Sequence, residues 1–361
     1  MTYALAWKNK ENVFLSADTA ITTISNDELT LRIKETAFGQ DNFLDEAKSR
    51  MVEEAVVKLF LIKNIGITFA GTYILALKVT TTFYKKIEEG FSVKEALNEA
   101  LFLNSPIPND QNLSFIVGYY QDGPKLLHFD SHVGSTIRED EDIIQIGNPH
   151  EFHRKLTEEW VEDINNLTTT SELQLVTMLG VLQSYNLFSP QMERGIGGTF
   201  CGLNISKEGG FWQPDILYMD YGISQGKLVS TGFRHDCLVI NSPTLGNSRC
   251  LASYTFDMTQ EYVYEQTKKA VEKGRKFHKN AKFEYIVLAH VQNLTLTVIE
   301  MKRENKHEFM WISNLEDDNG KGAKIALFPE MRALVNRSKE KGGLLIVPYR
   351  KPRKGQKIPP K

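Results

Sequence analysis

The sequence predicts an α+β fold in which two antiparallel sheets are sandwiched between helical layers, a four-layer αββα arrangement, followed by a C-terminal αβ extension. Two observations predict it. Apolar runs of β character come in pairs joined by tight polar turns, which reads as hairpins. Helical periodicity comes in sequential pairs instead of alternating strictly with strands, so the order runs strands, helices, strands, helices, strands.

Along the chain, Thr2 to Trp7 and Val13 to Ala17 form the first pair of runs, separated by the polar stretch KNKEN. Residues 19–50 are polar and mixed, show no clear core face, and read as an insert. Ala55 to Ile62 and Ile65 to Ala70 make a second pair around the Lys63-Asn64 turn, closed by Gly71. From Thr72 to Glu89 apolar positions recur at helical steps (Ile74, Leu77, Tyr84 and Ile87 among them), and Gly90 supplies the stop. Ser92 and Glu95 have capping-box spacing and open a second helix. Asn112 to Tyr120 and Pro124 to Asp130 pair around Asp122-Gly123, Ile143 to Ile146 is a short strand, and His150 to Ile164 and Ser171 to Leu187 are helical. Gly195 to Ile205 and Trp212 to Tyr218 return to β. Further on, the reading places a long helix over Thr259 to His278 and short strands at Glu284 to His290, Leu294 to Met301 and Glu308 to Ile312. The expected division is 1–222 for the sandwich, 223–349 for the extension, and a basic, Pro-rich, disordered tail over 350–361. No internal repeat is present.

Composition limits the function classes. The chain has 361 residues, 41% apolar and 24% charged, with a formal charge of −2. These values are ordinary for a globular protein and do not favour nucleic acid or an anionic membrane as partner. The three cysteines, Cys201, Cys237 and Cys250, lack metal-ligand spacing and fit small core residues in a reducing compartment. No segment reaches the roughly 18 uncharged apolar residues of a membrane span. No export signal opens the chain, so the expected location is the cytoplasm.

Thr2 stands directly behind Met1, and loss of Met1 would give one residue both a hydroxyl nucleophile and an amine base. The segment TYALAWKNKENVFLSADTAIT then reaches Asp18 after sixteen residues. VVKLFLIKNIGITFAG carries Lys58 inside an apolar run, an awkward place for an unpaired charge, and ends on Gly71. LSFIVGYYQDGPKLLHFDSHVG and GIGGTFCGLNI follow at residues 113–134 and 195–205. Together these segments resemble the proteasome-type N-terminal-nucleophile hydrolases, over roughly residues 2–222, bacterial HslV and Anbu among them, Anbu also sharing the Thr-Tyr opening.

The resemblance implies the Ntn-hydrolase sandwich and a threonine-type peptidase. Thr2 would be the nucleophile and its α-amine the base, Lys58 a cation favouring the neutral amine and the developing alkoxide, Asp18 its partner, and the Gly71 N–H an oxyanion donor. The chain departs from the pattern at Gly147-Asn148-Pro149, where the family has a serine turn; Asn148 can still bond near the Thr2 amine, while Pro149 removes an N–H. Glu193, in MERGIGG, is the candidate for the acid that precedes the Gly-Gly strand. No cofactor or metal is implied. His128, Asp130 and His132 alternate on one strand face, and with His150 they read as a polar face and turn, not a metal set. Implied partners are peptide or unfolded-protein substrate, further copies of the chain in a ring or stack, and an ATPase or adaptor that delivers substrate. Two rival readings stay open: a catalytically silent scaffold, and a hydrolase of small amides using the same Thr2 chemistry.

Overall fold

A computed structural model describes residues 2–24, 34–105, 107, 112–134, 136–139, 141–221, 227–234, 236–242, 247–253, 283–290, 295–301, 310–317, 320–327 and 344–348, with single positions at 268, 329, 332, 333 and 336. It is a mixed helix-and-sheet fold.

The chain opens with β1 (Tyr3–Lys8) and β2 (Val13–Ala17), the expected hairpin. Then come β3 (Ala20–Ile24), β4 (Phe43–Asp45) and β5 (Arg50–Glu54), which form a small sheet in the order β3-β5-β4. The region read as lacking a core face therefore has strands. It also delivers Ala37 and Phe38 to the main core, Phe38 packing edge-on against Tyr218 at 5.4 Å. Two apolar residues and strands of three to five are too short to leave a periodic signal.

β6 (Leu59–Ile62) and β7 (Ile65–Gly71) form the second hairpin. Lys63 and Asn64 both take positive φ, 45° and 67°, as a two-residue turn of the hairpin hand requires. α1 (Tyr73–Glu88) and α2 (Val93–Leu103) follow, α2 opening on the Ser92–Glu95 capping box. β8 (Leu113–Tyr120), β9 (Pro124–Asp130) and β10 (Arg138–Glu139) complete a five-stranded sheet in the order β10-β9-β8-β7-β6. β11 (Ile143–Gly147) leads into α3 (Glu151–Asn165) and α4 (Ser171–Phe188), and β12 (Cys201–Ser206) and β13 (Gly209–Trp212) end this part. The other five-stranded sheet has the order β11-β1-β2-β12-β13.

The two sheets face each other, β1 and β2 against β7 to β9, with β12 against β6 to β8. Gly66 and Gly118 make the close approach possible, because Leu15 and Val13 occupy the space their side chains would fill. α1 and α2 cover the outer face of one sheet, where Leu75, Val79, Phe83, Leu97 and Leu101 join Phe69 and Phe115. β1 is apolar on both sides, Tyr3 to Trp7 all at 0% exposure, because it is covered on both faces.

The remaining strands are β14 (Ile216–Tyr221), β15 (Lys227–Arg234), β16 (Cys237–Ser242), β17 (Asn247–Ala252), β18 (Tyr285–His290), β19 (Thr295–Glu300), β20 (Met310–Asp317), β21 (Gly320–Leu327) and β22 (Leu344–Pro348). Seven of them form a third sheet, β17-β16-β15-β14-β18-β19-β22, and β20 pairs with β21. β18, β19 and β20 answer to the expected strands, whereas β15, β16, β17, β21 and β22 were not anticipated. The expected helix over Thr259 to His278 and the basic tail lie outside the described residues, apart from position 268.

α4 packs on β12 on one side and on β14, β18 and β19 on the other. It is accordingly buried nearly all round, the signature of an internal helix, not an amphipathic one. Among the described residues, no helix is long and apolar enough to cross a membrane.

Candidate active site

Tyr3 anchors the start of the chain. Its ring is buried against His153 and Phe200, at centroid distances of 4.7 and 6.3 Å, and its hydroxyl lies within hydrogen-bonding distance of Gln145 Oε1 at 2.8 Å and Thr157 Oγ1 at 3.0 Å. Burial in these apolar surroundings pushes the Tyr3 phenol pKa well above its usual range, so it stays neutral. Thr2, itself buried, is thus held at the mouth of β1. Its carbonyl accepts the Asn148 N–H at 3.2 Å.

Asp18, just past the end of β2, turns its carboxylate back under this residue. Oδ1 accepts the Tyr3 N–H at 3.1 Å, which is the amide joined to the Thr2 carbonyl carbon, and the Lys58 ammonium at 2.7 Å. Oδ2 accepts the Gly197 N–H at 2.9 Å. Lys58 and Asp18 are 2% and 0% exposed, so the pair is fully enclosed. Burial pulls the Lys58 pKa below that of an ordinary lysine; the Asp18 charge and hydrogen bond oppose this and favour the ammonium. The hairpin strand β6 begins at the next residue, and Thr68 Oγ1 on β7 bonds the Lys58 carbonyl at 3.0 Å.

Two glycines are dictated by contact. At Gly147 φ is +96°, and a Cβ there would lie 1.6 Å from the Thr2 carbonyl oxygen. At Gly71 φ is +111°, and a Cβ would meet the residue 112 carbonyl oxygen at 1.9 Å. Gly71 ends β7 immediately before α1.

Of the residues singled out from the sequence, Thr2, Asp18, Lys58 and Asn148 come together around the start of β1. Gly71 keeps its expected place at the end of the second hairpin. Glu193 does not join them: its side chain is exposed on the short turn Met192–Arg194, and its carbonyl accepts a bond from Arg50. Sequence reasoning missed Gly147, Gly197 and Tyr3 as supports. Gly197 lay inside the quoted GIGGT motif, but its N–H meets Asp18 across 179 residues, a contact with no local trace.

Cys201 sits beside the pair and is buried, which raises its thiol pKa far above the reactive range and leaves a packing role. His128 bonds Arg138 at 2.8 Å and lies 3.5 Å from Glu141, while His150 caps α3 through the Phe152 N–H. Among the described residues, no group of three or more His, Cys, Asp or Glu side chains could hold a metal ion.

No protein-family model and no curated protein matches the chain. Among solved structures it is similar to eukaryotic HslV from Trypanosoma brucei, at 16% identity and a TM-score of 0.38 over 57% of this chain and 99% of that one. It is also similar to a mutant of Anbu from Hyphomicrobium sp. strain MC1, at 11% identity and a TM-score of 0.40 over 77% and 96% of the two chains.

Proposed function

We propose that this chain is an N-terminal threonine hydrolase that cleaves amide bonds in peptides or unfolded chains, active once removal of Met1 frees the Thr2 α-amine. The observation that carries this reading is the enclosed Asp18 carboxylate, which ties the amide behind residue 2 to a buried lysine. A surface-type structural role would not need two buried charges beside a chain start, because burying each ion costs several kcal/mol before pairing.

In this mechanism the Thr2 Oγ bonds to the substrate carbonyl carbon while its proton passes to the α-amine. The Lys58 charge favours the neutral amine and the alkoxide, and the Gly71 N–H receives the oxyanion. Breakage of the C–N bond releases the amine product with that proton. Water then adds to the ester carbonyl, the acyl–Oγ bond breaks, the acid product leaves and the Thr2 hydroxyl is restored. Asn148 steadies Thr2 through its backbone, and Glu193 acts only through its carbonyl. The same reading makes the two facing sheets and their helices a four-layer αββα sandwich, assembled with further copies in a ring or stack, to which an ATPase or adaptor delivers substrate.

A second reading, a silent scaffold of the same fold, draws support from Pro149 in the loop beside Thr2 and from the outward Glu193. Turnover of fluorogenic peptides by the purified chain, with Met1 removal confirmed by intact mass, separates the readings. Hydrolysis that disappears in Thr2→Ala and falls in Lys58→Ala is the expected outcome. Equal turnover in all three proteins refutes the threonine mechanism, and turnover of small amides alone moves the substrate to a metabolite.

A further inference from the structure

A second enclosed charge pair lies beside the first and takes no part in the chemistry above. Glu54, at the end of β5, has a side chain at 0% exposure, and Arg249 on β17 pairs with its Oε2 at 5% exposure. The remaining valences of this carboxylate are filled by Thr19, Thr199 and Ala37. Oε1 accepts the Thr199 N–H at 2.8 Å, the Thr199 hydroxyl at 2.7 Å and the Thr19 hydroxyl at 3.3 Å; Oε2 accepts the Ala37 N–H at 2.8 Å. Thr19 follows Asp18, and Thr199 stands two residues after the Gly197 whose N–H holds Asp18. The second guanidinium nitrogen donates to the Glu35 carbonyl.

β17 touches the same region a second time. Just past its end, Ser253 Oγ donates to the Leu59 carbonyl at 2.8 Å. Residues 54–59, with Lys58 among them, are therefore fastened at both ends to one edge of the third sheet. Between those ends the Ala55 and Val56 N–H groups donate to the Thr19 carbonyl at 3.1 and 3.2 Å.

We propose that Glu54 and Arg249 are positioning residues for the Thr2 centre, and that the third sheet clamps the Asp18–Lys58 pair in register with residue 2. The proposal rests on the threonine-hydrolase reading. Its physical basis is that a buried ion pair is a poor source of stability, since an apolar pair of similar volume commonly serves as well or better. Charged hydrogen bonds are, however, short and directional. Of the five donors converging on this carboxylate, three (the Thr19 hydroxyl and the Thr199 N–H and hydroxyl) fix the two segments that carry Asp18 and its Gly197 contact.

The test uses the full chain with Met1 removed and measures acylation of Thr2 by a β-lactone. The Thr2 Oγ–H adds to the lactone carbonyl, the ring C–O bond breaks, and the proton ends on the released hydroxyl, so intact mass reads the adduct. Rates are followed against lactone concentration and pH beside thermal unfolding, in Glu54→Gln, Arg249→Lys and the doubly neutral Glu54→Gln/Arg249→Met, which leaves no charge unpaired. The expected result is a doubly neutral chain that keeps its melting temperature. Its maximal acylation rate falls about ten- to hundredfold with little change in half-saturating concentration. Its pH midpoint moves because the Lys58 surroundings have changed, and Arg249→Lys recovers part of the rate. A doubly neutral chain with wild-type rate and pH midpoint overturns the proposal, as does a loss of rate that tracks melting temperature across the variants. Absence of any adduct on the wild-type chain sinks the Thr2 assignment, and the positioning role with it.

Discussion

At the residue scale the tightest constraint is the contact between Gly147 and the Thr2 carbonyl. Gly147→Ala has to strain a backbone at φ +96° and place a Cβ 1.6 Å from the Thr2 carbonyl oxygen, just before the first strand. We expect it to destabilise the fold by about 3 kcal/mol or more, read by urea unfolding. Amide hydrolysis should also drop, about hundredfold, because residue 2 is displaced. Gly90→Ala is the control, with a similar φ of +90° and nothing within 4 Å, so only the backbone strain remains. A Gly147 variant no less stable than the Gly90 variant would show that the contact yields cheaply. Much of this residue-level arrangement was legible beforehand. A hydroxyl at position two and an acid sixteen residues on are ordinary taken singly; a lysine interrupting AVVKLFLI is unusual, and the family resemblance is what joins the three. Gly147 was not, because a glycine before Asn-Pro is an ordinary turn until the residue 2 carbonyl is known to press against it. Glu193 is read from its place in MERGIGG; in the structure its side chain is exposed.

At the scale of elements, the third sheet holds a group at odds with its setting. Asp220 lies on β14, between β15 and β18 in the middle of the sheet, at 2% exposure. Neither carboxylate oxygen has a hydrogen-bond partner among the described residues. Burial raises its pKa from 3.8 to about 8. Between those two values the native state holds a proton that the unfolded chain has released. The Asp220 contribution is therefore most favourable in acid and is lost as pH rises from about 4 towards 8. Asp220→Asn should abolish this dependence and stabilise the fold by about 2–4 kcal/mol at pH 8, with a much smaller gain at pH 5. Denaturant midpoints at the two pH values check it, and equal gains at both would remove the titration from the account. Strand reading succeeded where hairpins have strong turns, as at Lys63-Asn64 and Asp122-Gly123. It failed for β15 and β17, whose polar interruptions (STGFR and NSRC) mask the alternation, and for β16, whose apolar run CLVI is only four residues long.

For the whole molecule, the question is whether the C-terminal part is an appendage. One core cluster includes Leu5 and Phe14 of the first hairpin, Leu179 of α4, and Leu238, Ile240, Val287 and Val298 of the third sheet. α4 is covered on both sides only when that sheet is present. A chain ending at residue 213 would expose one flank of α4 and lose the Arg249 partner of Glu54, leaving a buried carboxylate uncompensated. We expect such a truncation to be insoluble or to lack a cooperative thermal transition. A cooperatively folding truncated chain would show that the two parts are separable.

The sequence by itself determined the paired hairpins, the capped helices and the awkward place of Lys58, because turn chemistry, periodicity and a charge inside an apolar run are local properties; the line from Thr2 through Asp18 to Lys58 comes from the family resemblance. Only the tertiary structure decided which groups complete the centre. Gly197 reaches Asp18 across 179 residues and Arg249 reaches Glu54 across 195. Such contacts depend on how sheets stack, and no window of sequence records that.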